Sequence, residues 1–412
     1  MRKTNPTTSL ASDGRRPPLL NRNFLVLVIC HFLQALGWSS MLLLPKYFQH
    51  LGESGESIGV LMAAASFGGL AVRPLIGWAL DCYGKRLVLT FGSILLAIGM
   101  FTLSVQSPSY ATLLVARVFV GIGAGTLFTG YFSFVADHIP KERRTEGLAL
   151  FGISGILPMA LNAVTESWST APSLVQELFP WLTVPILLSG ALIWKVPETN
   201  RDTLTSSPTV PFHMGMLINR SLLPVWVATL TFSTQVAAFM AFATLCAPGG
   251  QEEHAQQIWF YYAIGAVSIR LFAARLPDLL GAHNFVGPSL AAYSIGFILL
   301  AEGGSQTQYY LAGICAGVGH GYCFPVLTSQ VISRITVQAT SRGLALFTAL
   351  WEVTSLVATA PLGAYADAMG LETMCGLIAV LTTLSLVLWV TLEYHAQRPR
   401  KQKLLPSTPH HS

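Results

Sequence analysis

The chain has 412 residues; 52% are apolar, only 10% are charged, and the formal net charge is +5. A soluble domain carries roughly 25% charged residues, so this composition, with a mean hydropathy of +0.55, argues against a water-soluble enzyme and for a bilayer. The same scarcity of charge excludes a disordered or fibrous chain.

Residues 1–22 form a polar N-tail carrying Arg2, Lys3, Arg15, Arg16 and Arg22. The apolar run behind it, Phe24–Leu44, is too long for the core of a cleavable signal and lacks a small-x-small cleavage site. It is long enough to cross about 30 Å of hydrocarbon at about 1.5 Å per residue. Eleven apolar stretches follow, near 57–76, 87–106, 110–135, 147–167, 174–194, 221–245, 257–275, 284–301, 308–332, 343–363 and 371–393. The expected fold is therefore an all-α membrane protein of twelve transmembrane helices in two six-helix bundles, 23–195 and 221–394. A linker at 196–220, rich in Thr, Ser and Pro, joins them, and a C-tail covers 395–412.

Basic residues decide orientation. The N-tail cations, Lys85/Arg86, Lys141/Arg143/Arg144, Lys195/Arg201/Arg220, Arg270/Arg275, Arg334/Arg342 and the C-tail cluster all fall on the face that holds the termini. The other face has Lys46 and the acids Glu53, Glu56, Glu252, Glu253, Glu302 and Glu372. Both termini are expected in the cytoplasm, with the protein in the cytoplasmic (inner) membrane. The six cysteines form no CxxC and no zinc-type spacing with histidine, so they read as small core residues and no metal or cofactor is expected.

The two halves repeat. Arg73, Asp81 and Gly84 recur as Arg270, Asp278 and Gly281 at an offset of 197. Gly121, Gly123 and Gly125 recur as Gly317, Gly319 and Gly321, offset 196. The pentapeptide Gly147–Phe151 (GLALF) recurs letter for letter as Gly343–Phe347, also offset 196. Several matches in order at nearly one offset mean duplication, and two parallel six-helix repeats are a transporter architecture with a midplane site.

These residues carry a resemblance. Gly77–Arg86 (GWALDCYGKR), with Lys85 and Arg86 as its basic pair, resembles the loop 2–3 signature GxLaDrxGrk of the major facilitator superfamily; Ala274–Gly281 (ARLPDLLG) is its weaker second copy. Leu113–Gly123 (LLVARVFVGIG) resembles the fourth-span motif RxxqGxg of the twelve-span drug:proton antiporters, with Val120 in place of Gln. The fifth-span antiporter motif GxxxGPxxGG is only echoed, by Gly152, Gly155 and Pro158. The resemblance implies that Asp81 meets the start of span eleven, and pseudo-symmetry places Asp278 at the start of span five. An acid beside the positive end of a helix is worth about 0.3–2 kcal/mol, suited to a reversible latch. Gly77 and Gly84 are expected to let backbones approach closely.

Arg117 is expected to be the only basic residue deep in a span and Glu352 the only acid, about 10 Å from the far face and about 14 Å from the face of the termini. A charge there costs about 2.5–3.5 kcal/mol even on the mildest scale, so each is read as functional, with a tie between helices or a protonated, backbone-bonded acid as the plainer alternative. In the spans that line the cavity of the family stand His31, Gln34 and Trp38 (span one), Asn162 (five), Thr234 and Gln235 (seven), Tyr262 (eight), and His320 and Tyr322 (ten). Trp351 and Tyr322 read as packing rather than binding.

The expected function is secondary active transport of a small organic solute by alternating access, as proton-coupled efflux with Glu352 as proton carrier and Arg117 tuning it or holding an anionic group. Uptake by symport or facilitated diffusion is the alternative; a membrane-embedded enzyme or sensor is a third. Walker, HExxH and GxSxG patterns are missing. The expected partners are solute, protons and lipid bilayer, without nucleic acid, for a monomer.

Overall fold

A computed structural model describes residues 19–140, 144–165, 173–198, 219–249, 254–273, 276–335 and 340–402. The side chains of Asp81, Asn162 and Asp278, all expected above to be functional, lie outside the described residues, as does most of the linker. Among the described residues, twelve long helices carry the fold: α1 (Arg22–Ser40), α2 (Gly55–Tyr83), α3 (Lys85–Leu103), α4 (Tyr110–His138), α5 (Arg144–Thr165), α6 (Ser173–Leu192), α7 (Leu223–Phe242), α8 (Gln257–Phe272), α9 (Val286–Glu302), α10 (Gln306–Arg334), α11 (Thr340–Met369) and α12 (Leu371–Gln402). A turn and a short helix, Leu44–His50, prolong α1, and another short helix, Leu276–Leu280, follows α8. Among the described residues, ten stretches are long and apolar enough to cross a membrane; they include every long helix but α5 and α8. The last helix runs to Gln402, well into the segment read as a tail.

The duplication visible in the sequence is repeated in local structure. Ser109 and Ser305, 196 positions apart, cap α4 and α10, their hydroxyls accepting from the N–H of Thr112 (3.1 Å) and Gln308 (3.3 Å); such a cap is worth about 1 kcal/mol. Gly84 and Gly281 adopt φ +88° and +91°, a conformation costly for any residue with a Cβ. The backbone alone therefore favours glycine at position 84. Gly77 has open space where a Cβ would stand, so the expectation that it brings backbones together is not met.

Packing follows the same two-fold plan. Inside the first half α1 packs on α5 and α6, α2 on α4, and α3 on α4 and α6; inside the second half α7 packs on α11 and α12, α8 on α10, and α9 on α10 and α12. Each pair becomes its partner by adding six. The small residues make this closeness possible: a Cβ on Gly121 would stand 1.8 Å from the Ala65 carbonyl oxygen of α2, and one on Gly317 would stand 2.1 Å from that of Tyr262 on α8. Outer faces present Phe91, Phe101, Trp181, Val357 and Leu384, large apolar groups that a bilayer covers. Two seams join the halves, α2 against α11 and α5 against α8.

Candidate functional site

The α2–α11 seam is closed by polar contacts along its length. At the end remote from the termini, Gly55 and Glu56 donate their N–H groups to the two carboxylate oxygens of Asp367, at 2.7 and 2.8 Å. These are free donors of the first turn of α2, so the acid sits on the positive end of the helix. The backbones nearly touch there, since a Cβ on Gly363 would lie 1.9 Å from the Gly55 oxygen. Farther along, the Thr359 hydroxyl donates to the Gly59 carbonyl at 2.9 Å.

Nearer the termini, Arg73 Nη2 donates to Glu352 Oε1 at 3.0 Å, and both side chains are largely buried. The helix α2 continues ten residues beyond Arg73 to Tyr83, so Arg73 stands inside the span and not at its edge. A buried pair of this kind leaves an uncompensated charge when either partner is lost.

Arg117 does not join it. Its Nε donates to the Leu61 carbonyl at 3.0 Å and its Nη2 to the Met62 carbonyl at 3.1 Å, with Met62 Sδ at 3.7 Å. It is a tie from α4 to α2. The expectation that Arg117 tunes Glu352 is replaced: the cation facing Glu352 is Arg73.

Each half also holds a histidine packed among rings, beside a helix of the second seam. His31 Nδ1 of α1 lies 2.7 Å from Ser154 Oγ of α5, with its ring on Phe151. His320 Nδ1 of α10 lies 2.5 Å from the Tyr262 hydroxyl of α8, whose oxygen is 3.5 Å from that of Tyr293. Phe232 and Trp351 flank His320. Phe128 of α4 reaches Phe324 of α10 across the halves, ring centroids 6.5 Å apart.

Other expected residues sit elsewhere. The Gln235 amide nitrogen points into the second half, toward the Leu290 carbonyl, Ser294 and Thr382, which makes it a tie between α7, α9 and α12. Gln34 is buried in α1. Tyr322 donates to the Ala273 carbonyl. Lys85 holds Asp137 and the Ser133 carbonyl at the end of α4, and beyond α6 Arg86 donates its Nε to the Val196 carbonyl and its backbone N–H to the Glu198 carboxylate. The basic pair of the signature thus braces the first half internally. Sequence reading missed Asp367 and the pairing of Arg73. The one available signal for Asp367 was an isolated acid four residues beyond the apolar stretch 343–363, and the helix that carries it runs on to Met369.

The sequence profile of the Major Facilitator Superfamily matches residues 27–250, more than half of the chain. The chain belongs to this superfamily. As a member it is a multi-pass membrane protein of a secondary-transporter family. It is 23% identical over 330 residues to the uncharacterized MFS-type transporter STM4428 of Salmonella typhimurium, covering 76% of this chain and 81% of that one. It is 30% identical over 128 residues to the quinolone resistance protein NorA of Staphylococcus aureus, a match spanning 31% of this chain and 33% of NorA. Among solved structures, a mutant form of the nucleoside transporter NupG superposes with TM-score 0.75 at 14% identity, over 90% of this chain and all of that one. A POT family transporter with a bound thioalcohol-conjugated peptide gives TM-score 0.75 at 13% identity, over 91% and 96%. These two likenesses establish the all-helical fold.

Proposed function

We propose that this superfamily member exports a small organic solute across the cytoplasmic membrane in exchange for protons, with both termini in the cytoplasm. The observation that carries this reading is the Arg73–Glu352 pair, which joins the two halves inside the span at 3.0 Å. A proton on Glu352 removes the negative charge that holds Arg73, and the α2–α11 seam loosens. Loss of the proton restores the pair. Because the pair bridges the two rocking bodies, protonation and the exposure of the site become one equilibrium. Basic residues concentrated on the face of the termini support the orientation, and the local match to NorA supports efflux. His31, His320 and Tyr262 line the solute path between the bundles. The protein works as a monomer, with solute, protons and bilayer as its partners.

The test is flux in inverted membrane vesicles with an imposed pH gradient. Solute accumulation that follows the gradient in wild type and loses that dependence in Glu352→Gln supports coupling through this acid. Flux indifferent to the gradient in both refutes coupling, and flux in whole cells directed inward replaces export by uptake.

A further inference from the structure

The two repeat-related arginines have different surroundings. Arg73 meets Glu352 across the α2–α11 seam. Arg270, its counterpart 197 residues later, reaches across the α5–α8 seam to Gly152, where a Cβ would stand 2.8 Å from its Nη1. The position matching Glu352 in the first half, 196 residues earlier, is the buried Ile156. The acid that would complete the symmetry is therefore an alkyl group. Arg270 Nε is buried and has no hydrogen-bond partner. Among the described residues, no carboxylate pairs with it. Arg270 stands eight residues after Tyr262 on α8, about 12 Å along the helix, and Tyr262 pairs with His320, which Phe232 and Trp351 flank.

A guanidinium inside a protein without a counter-ion is costly, and its planar fork matches an oxyanion in bidentate fashion. Gly152 has no side chain, so Nη1 packs directly against the α5 backbone there, and Nε is left without an acceptor. We propose that Arg270 is the anion-binding residue of the substrate site, and that the solute carries a carboxylate next to an apolar or aromatic body. This rests on the transport reading and deepens it: the charge on Arg73 is satisfied by the protein, whereas the charge on Arg270 is satisfied by the cargo. Trp351, the part-exposed member of the ring cluster, then faces the body of the solute.

The probe is benzoate, with benzamide as its uncharged counterpart, titrated calorimetrically into the full-length protein in phosphatidylcholine nanodiscs. Benzoate is expected to bind at least tenfold more tightly than benzamide, about 1.4 kcal/mol. Arg270→Gln should erase that preference and Arg270→Lys restore part of it. Equal binding of the two probes, or a preference that survives Arg270→Gln, overturns the proposal. Where Arg270→Gln does not fold, phenylglyoxal labelling of wild type replaces it: Arg270 should be modified, and benzoate but not benzamide should slow the reaction; an unlabelled or unprotected Arg270 overturns it. If phosphatidylglycerol nanodiscs abolish benzoate binding, the occupant is a lipid headgroup and the proposal falls. Benzoate bound through Arg270 by a protein that moves no solute in proteoliposomes would refute transport and leave this site standing. A working transporter that ignores Arg270 would do the reverse.

Discussion

Asp367 of α11 holds the first two N–H groups of α2, those of Gly55 and Glu56, with one carboxylate oxygen each, at 2.7 and 2.8 Å. It is an acid on a helix start, the kind of latch expected of Asp81, and it is found at the opposite end of the same pair of helices. A carboxylate at an exposed helix terminus contributes about 0.3–1 kcal/mol, enough to bias a two-state seam by a few-fold and weak enough to open.

Asp367→Asn should therefore shift the α2–α11 seam toward separation at its far end by a few-fold, without unfolding the protein. Spin labels placed at the far ends of α2 and α11 would report this as a larger population at long distance. An unchanged distance distribution counts against the latch.

Removing either member of the inner pair should act more strongly. Arg73→Gln leaves Glu352 facing the seam without its cation, and Glu352→Gln leaves Arg73 without its acid; a broken buried pair costs about 3–5 kcal/mol, less here because both groups keep some exposure. The double variant should be more stable than Arg73→Gln alone. Melting temperatures of the three proteins in one detergent test this, and additive losses would show that the residues do not interact.

Arg117→Met should behave as a structural change. Its guanidinium is spent on the Leu61 and Met62 carbonyls, acceptors already used inside α2 and therefore tolerant of the loss. Each such charged bond is worth about 1.5–3 kcal/mol, so a lower melting temperature with gradient-dependent flux retained is expected. Loss of gradient dependence in a well-folded Arg117→Met protein would restore Arg117 as a residue that tunes Glu352.

Two glycines should separate cleanly. Gly121→Val places carbon within 1.8 Å of the Ala65 carbonyl oxygen, a backbone atom that cannot step aside, whereas Gly77→Ala meets nothing. Gly121→Val is expected to abolish folded protein in size-exclusion profiles, and Gly77→Ala to leave both yield and melting temperature within error of wild type or slightly higher.

Much was legible from the residues alone. Twelve apolar runs and the repeats at 196 and 197 define two duplicated bundles, because span length and repeat spacing are properties of consecutive residues read against a bilayer. The glycine triplets mark the repeat by recurring at one offset, whereas their contacts with Ala65 and Tyr262 and the paired serine caps became visible only in the structure. The partner of Glu352 lies 279 residues away, and that of Asp367 lies 312 away. No local pattern ranks Arg73 above Arg117 as the cation for Glu352, nor tells Arg270 from Arg73. Those assignments depend on how two separately built bundles meet, where crossing geometry alone decides which side chains share a seam.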